Sequence, residues 1–220
     1  MSDYVYPEAI LFDHDGTLVD TEPVWAEAKE AISHKYGKEW SEQDTLDALG
    51  QPMQVTYDIL RRNGVPLSDE EIYDALVNHA IEHAKNESVE LLPGVAGLFQ
   101  EVADAGIPCA IVTNATRHIA EVTASLAPEG LFKTIVTNDD VKNAKPDPEP
   151  YLLAAQRLGV DPTKCVAVED SPSGVASATA AGLKVVVVPG MQPVPEGKGD
   201  LRIKHEDLSF DQILKLNNSK

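Results

Sequence analysis

The chain has 220 residues, 43% of them apolar, which is enough for one large domain or a domain with a smaller insert and excludes wholesale disorder. Its 18 basic and 36 acidic side chains leave a formal charge of −18, a field that repels nucleic-acid phosphates and anionic lipid. No nucleic-acid or membrane partner is therefore expected, and a phosphorylated ligand would need a local cation to approach.

The first predicted strand is Ala9-Ile10-Leu11-Phe12, which stops at Asp13. From about Thr21 to Ser88 the pattern is helical only. There Trp25, Ala28, Ile32 and Tyr36 make one apolar stripe. Ser68-Asp69-Glu70-Glu71 reads as a capping box opening a helix whose inner face is Ile72, Ala75, Leu76, His79 and Ala80. Strand and helix alternate again from Leu92-Pro93-Gly94. Val95, Leu98, Phe99 and Val102 share a helical face, and Cys109-Ala110-Ile111-Val112 and the shorter Thr134-Ile135-Val136 are strands. Tyr151, Leu152, Ala155 and Leu158 are predicted to line a further helix. Cys165-Val166-Ala167-Val168 and Val185-Val186-Val187-Val188 are strands, with Ser171-Pro172 opening a helix between them. The main strands lack apolar–polar alternation, as strands buried on both faces do. After Pro189 the chain is rich in Pro and Gly and ends in an amphipathic piece around Phe210, Ile213 and Leu214.

The expected fold is α/β, a doubly wound parallel sheet of Rossmann-like type built from residues 1–20 and 89–220. Residues 21–88 form a small all-helical domain inserted after the first strand, joined by two connections and so suited to act as a lid. Cys109 and Cys165 lie in apolar runs and read as buried thiols rather than a disulfide or a metal pair. Met1-Ser2-Asp3-Tyr4 does not begin a basic-then-apolar leader, and the run Val185–Val188 is far too short for a bilayer, so the expected location is cytoplasmic.

Four short segments carry residues suited to chemistry, each with a plainer reading. Asp13-His14-Asp15-Gly16-Thr17 closes the first strand. Side chains two apart in extended chain point the same way, so Asp13 and Asp15 would project together and repel by about 4 kcal/mol at about 4 Å and a dielectric of about 20. A divalent cation or a shared proton relieves this, and the plainer reading is a turn. Thr113-Asn114 offers a hydroxyl and free amides that suit a phosphate, or that cap a helix. Lys145, in a loop stiffened by Pro146 and Pro148, is either the missing local cation or a surface lysine. Glu169-Asp170-Ser171 adds acid that suits a hard cation, or starts a helix. The four fall in order at the ends of successive predicted strands and together hold the charges of a phosphoryl site.

In this order the four segments resemble the four motifs of the haloacid dehalogenase superfamily, and the insert resembles its small helical cap. Asp20-Thr21-Glu22-Pro23, Leu92-Pro93-Gly94-Val95, Lys145-Pro146-Asp147-Pro148 and the stretch Gly174 to Gly182 resemble its beta-phosphoglucomutase and phosphoglycolate-phosphatase branch. The resemblance implies that Asp13 is a nucleophile forming an aspartyl-phosphate, and that Asp15 protonates the leaving oxygen and then deprotonates the hydrolytic water. It implies Mg²⁺ held by Asp13, the main-chain oxygen of Asp15, and Asp170. Glu169 and Ser171 stand behind these ligands, Glu169 acting through water or by orienting one of them. Thr113, Asn114 and Lys145 would hold the phosphoryl group. Glu22, Trp25, Gln51 and Gln54 are the candidate substrate contacts in the cap. The implied activity is a Mg²⁺-dependent phosphatase, expected to be monomeric, acting on a small phosphomonoester: a sugar or polyol phosphate, or a phosphoglycolate-like compound.

Some positions depart from the pattern. His14 stands where an apolar residue is usual; strand alternation points its ring away from Asp13, and a structural role is expected. Trp25 stands where the mutase members resemble one another in a histidine, which favours hydrolysis. Asp15 argues against dehalogenation, and neither Lys29 nor Lys35 is singled out for the Schiff base of a phosphonate hydrolase. Two rivals remain open: a beta-phosphoglucomutase-like isomerase, and a non-catalytic protein binding a phosphorylated metabolite, against which the pair Asp13 and Asp15 speaks. His79 and His83 have a metal-binding spacing without an evident third ligand. Asn138-Asp139-Asp140 reads as a solvated strand-to-loop transition.

Overall fold

A computed structural model of the protein describes residues 5–48, 53–86, 90–115 and 117–219. In chain order its elements are β1 (Ile10–Phe12), α1 (Glu22–Lys35), α2 (Glu42–Ala48), α3 (Met53–Arg62), α4 (Asp69–Asn86), α5 (Val95–Asp104), β2 (Cys109–Val112), α6 (Arg117–Ser125), β3 (Phe132–Val136), α7 (Glu149–Leu158), β4 (Val166–Glu169), α8 (Pro172–Ala180), β5 (Lys184–Val187), β6 (Leu201–Arg202) and α9 (Phe210–Asn217). The strands form one parallel sheet in the order β3-β2-β1-β4-β5-β6. Contacts divide the chain into two compact units, Met1–Asp20 with Val89–Lys220, and Thr21–Ser88.

In the sheet unit, alternate residues of each strand feed two separate cores, which is why the strands read as unbroken apolar runs. Ile10 and Phe12 of β1, Cys109 and Ile111 of β2, and Val166 and Val168 of β4 face one core, where Val95, Leu98, Phe99 and Val102 of α5, Ala120 of α6 and Ile213 of α9 cover them. Phe12, Phe99 and Phe132 meet there edge to face, with centroids 5.3–6.1 Å apart. Leu11, Ala110, Val112 and Ala167 face the other core, beneath Tyr151 and Ala154 of α7 and Val175 and Ala178 of α8. Both thiols are buried and free, and burial pushes each up to about 12.

The helical unit has its own core of Ala28, Ile32, Trp40, Ile59, Leu60, Val65, Ile72 and Leu76. The Ser68 cap forms as the pattern predicts: Ser68 N–H donates to Glu71 at 2.9 Å, and Glu71 N–H donates to Ser68 Oγ at 3.3 Å. A second reciprocal cap opens α2. Asp44 accepts from Ser41 N–H at 2.9 Å and from its hydroxyl at 2.8 Å, while Ser41 Oγ accepts from Asp44 N–H. Arg62 and Asn63, at the end of α3, also donate to Asp44, at 2.5 and 3.1 Å. Burial would raise this carboxyl, but the bonds from Ser41, Asn63 and Arg62 outweigh it and hold it at about 2.

The structure differs from the sequence reading in detail. Leu152 is 42% exposed, and Ala154 takes the inward place beside Tyr151 and Ala155. The two-residue β6 extends the sheet where no strand was expected. Asp140 is not simply solvated: it accepts from Thr137, Arg117 and Arg157 and pins β3 to the helices on either side of it in sequence. His83 Nδ1 lies 3.4 Å from Glu27. Among the described residues no helix is long and apolar enough to cross a membrane.

Candidate active site

The carboxyl ends of three neighbouring strands converge. Phe12 pairs with Ile111 on one side and Val168 on the other, so Asp13 emerges level with Val112 and Glu169. Main-chain bonds carry this register beyond the strands: Asp13 N–H donates to Val168 O at 3.0 Å, and Thr113 N–H to Val136 O at 2.9 Å. Parity sends Asp13 and Glu169 to the face of Leu11 and Ala167, the side on which α7 packs.

Lys145 reaches into this point from the loop before α7. Its Nζ donates to Asp13 Oδ1 at 2.5 Å, Glu169 Oε1 at 2.6 Å and Val112 O at 2.7 Å, using all three hydrogens of the ammonium. Tyr151, on the first turn of α7, donates to Glu169 Oε1 at 2.7 Å, and its ring lies 5.1 Å from Nζ. Ser171 caps α8 by accepting from Gly174 N–H at 3.0 Å and donates to Glu169 Oε2 at 3.2 Å. Asp170 sits between Gly16 and Gly190; a methyl group on either would overlap its carboxylate. Gly16 also needs its φ of 77°, which L side chains rarely adopt.

Charge and burial set the proton affinities. Burial pushes the Asp13 carboxyl well above its ordinary value, with Glu169 and Asp170 adding to the rise and Lys145 opposing it. Burial, with Glu169 next, raises Asp170 to about 7. Burial disfavours the charged Lys145, but Asp13 and Glu169 outweigh it and hold the ammonium above its usual range. Burial, then Glu169, raises Tyr151 well above the ordinary phenol, so it stays a donor.

Residues 10–188 match the model of the haloacid dehalogenase-like hydrolases. The chain belongs to this family. A phosphorylated carbohydrates phosphatase of Thermotoga maritima is 39% identical over 80% of this chain and 82% of its own length. Hexitol phosphatase A of Escherichia coli is 34% identical over 94% of this chain and 93% of its own. CbbY of Rhodobacter sphaeroides, solved in complex with phosphate, has a similar fold: TM-score 0.78 at 29% identity, covering 92% of this chain and 96% of that one. The protein is therefore an enzyme of the haloacid dehalogenase-like phosphatase type, of the beta-phosphoglucomutase and phosphoglycolate-phosphatase branch.

The residues present fit a cation. Carboxylate oxygens of Asp13, Glu169 and Asp170 lie within 4.8 Å of one another, all three residues buried. Three carboxylates face one ammonium, so the group carries excess negative charge that only a proton or a bound cation can offset. Oxygen donors alone select a hard ion. The side chain of Asp15 is outside this group and lies beside His14, with Asp15 Oδ1 3.3 Å from His14 Nδ1. The His79 and His83 pair gains no such cluster among the described residues.

Other expected site residues are placed as follows. Thr113 is buried, and its Oγ1 accepts from Ala115 N–H at 2.9 Å, so the hydroxyl both caps the turn and keeps its own hydrogen. Asn114 is exposed, and its carbonyl accepts from Asn138. Trp25 is half-buried in the helical unit; Gln54 is exposed and donates to Asp58. Gln51 and the side chain of Glu22 lie outside the described residues. Sequence reasoning missed Tyr151 as a partner of Glu169. The signal was a tyrosine on an inward stripe, whose hydroxyl needs a buried acceptor.

Proposed function

We propose that the enzyme hydrolyses a small phosphomonoester, a sugar or polyol phosphate, with Mg²⁺ as its cation. The observation that carries this reading is the Lys145 ammonium, buried between Asp13 and Glu169 beside Asp170: the charges a phosphate dianion requires, in a protein that otherwise repels it. The names of the two similar phosphatases, one of phosphorylated carbohydrates and one of hexitol phosphates, support the substrate class.

Lys145 fixes Asp13 Oδ1, which leaves Oδ2 to attack phosphorus in line and form the aspartyl-phosphate. Asp15 gives a proton to the departing oxygen and then takes one from the water that cleaves the intermediate. The positive charge of Lys145 attracts the phosphoryl oxygens, and the Thr113 hydroxyl and Asn114 donate to them. Asp13, Asp170 and the main-chain oxygen of Asp15 hold the ion, and when bound it supplies positive charge to the phosphoryl group. Selection of the leaving group is assigned to the helical unit, with Trp25 and Gln54 the described residues to vary.

The test is phosphate release from a panel of sugar, polyol and glycolate phosphates, with Mg²⁺ or with chelator. Free inorganic phosphate is expected with a polyol or sugar phosphate, and none from Asp13→Asn, whose circular dichroism stays that of the wild type. A rearranged sugar phosphate without free phosphate would show an isomerase instead; no turnover of any ester would show a binding protein.

A further inference from the structure

A buried histidine stands between the two aspartates assigned to the reaction. His14 shares strand parity with Ile10 and Phe12, opposite to Asp13, so its ring turns toward α6. The residue is 0% exposed, and Nε2 lies 2.7 Å from the hydroxyl of Thr123, which is 0% exposed as well. Nδ1 is buried and makes no hydrogen bond of good geometry, yet Asp15 Oδ1 stands 3.3 Å away. A buried ring nitrogen without a partner is destabilising, and an apolar side chain would fill the same place without that cost.

The hydrogens can be assigned. Thr123 Oγ1 can donate to Ile119 O at 3.5 Å or to Nε2 at 2.7 Å; the shorter contact is the stronger, and we take the hydroxyl to donate to Nε2. With Nε2 accepting, the ring hydrogen sits on Nδ1 and faces Asp15 Oδ1. We propose that His14 is a positioning residue for Asp15, the last link of a chain that runs from the Thr123 hydroxyl through the imidazole to Oδ1. The chain pins one oxygen of the carboxyl and so fixes the orientation in which Asp15 gives its proton to the departing oxygen and takes one from water. Oδ1 accepts from Nδ1–H whether or not Oδ2 carries a proton, so one contact serves both half-reactions. Such contacts are often long in a resting site and shorten when substrate is bound. The inference rests on the proposed role of Asp15 and adds what orients it.

The test uses leaving groups. A good leaving group departs without a proton donor and a poor one does not, so kcat/KM across aryl phosphates from 2,4-dinitrophenyl to phenyl reads the acid directly. His14→Leu is expected to lose about tenfold on phenyl phosphate and less than about twofold on dinitrophenyl phosphate. His14→Asn, whose amide N–H can replace Nδ1–H, recovers the poor leaving group; Thr123→Val shows the same selective loss to a smaller degree. Loss spread equally over the series, or no loss, in His14→Leu and Thr123→Val overturns the inference. If His14→Leu fails to fold, Thr123→Val decides alone. Asp15→Asn separates the two levels. A response to Asp15→Asn that does not depend on leaving group removes Asp15 as the acid, and this inference with it. A steep response there beside a flat one in both His14→Leu and Thr123→Val removes only the role of His14.

Discussion

Lys145 and Glu169 meet in a buried place where an isolated charge would be costly. Among the described residues the lysine is the one cation in contact with Asp13 and Glu169, and the tyrosine hydroxyl is what lets Glu169 remain there as an acceptor with a second donor. Tyr151→Phe keeps the ring and its packing and removes that donor. Hydrogen bonds to charged groups contribute about 1.5–3 kcal/mol, so the variant is expected to lose about that much stability in urea unfolding. Its kcat should fall as well, because Glu169 orients Lys145. An unchanged unfolding midpoint would mean that Glu169 does not rely on the phenol.

At the scale of elements, the N-terminus of α8 carries a prediction against propensity. Gly174 is a helical residue, and glycine in a helix interior costs about 0.5–1 kcal/mol relative to alanine. Yet a methyl group there would overlap the Glu169 carboxylate. Gly174→Ala is therefore expected to destabilise the protein, and thermal melting gives the sign. The joint between α2 and α3 carries another. The folded Asp44 carboxyl is held at about 2, below the unfolded value near 4, so its contribution is complete above about pH 4 and is lost as pH falls toward 2. The stability advantage of the wild type over Asp44→Asn should shrink across that window. Both tryptophans of the chain, Trp25 and Trp40, lie in the helical unit, so their fluorescence follows it.

These elements also show what sequence reading can reach. The apolar runs marked β1, β2, β4 and β5 to within a residue, because a strand buried on both faces leaves an unbroken local signal. The Ser68 and Ser171 caps were equally legible, being short-range. Leu152 was misassigned because one turn of helix offers two apolar stripes, Tyr151-Leu152-Ala155 and Tyr151-Ala154-Ala155, and only packing chooses between them. The motif residues were legible as strand ends and the resemblance grouped Asp13 with Asp170, but the local reading, which set Asp13 beside the Asp15 side chain, did not reach that pairing. That Asp13 meets Glu169 and Asp170 rather than the Asp15 side chain follows from the register of β1 on β4, a contact across more than 150 residues. Parity turns His14 from Asp13 as expected, but nothing local shows that the chain after Asp13 brings Asp15 Oδ1 to within 3.3 Å of its Nδ1.

At the scale of the whole molecule, the net charge of −18 and the buried acidic group act together on the cation. On the proposed reading Mg²⁺ binds the folded site and not the unfolded chain, so it should stabilise by about 1.4 kcal/mol for each tenfold increase in concentration above its dissociation constant. Asp170→Asn, which removes one carboxylate and leaves the glycine walls in place, should abolish that dependence. The residues of the acidic group all belong to the sheet unit, while both tryptophans belong to the other. Linkage therefore acts on unfolding of the sheet, and far-UV circular dichroism should show a larger Mg²⁺-dependent shift than tryptophan fluorescence does. Equal shifts by both probes would show that the two units unfold as one; no shift by either, at Mg²⁺ concentrations that support turnover, would place the ion elsewhere than at Asp13, Asp170 and the main-chain oxygen of Asp15.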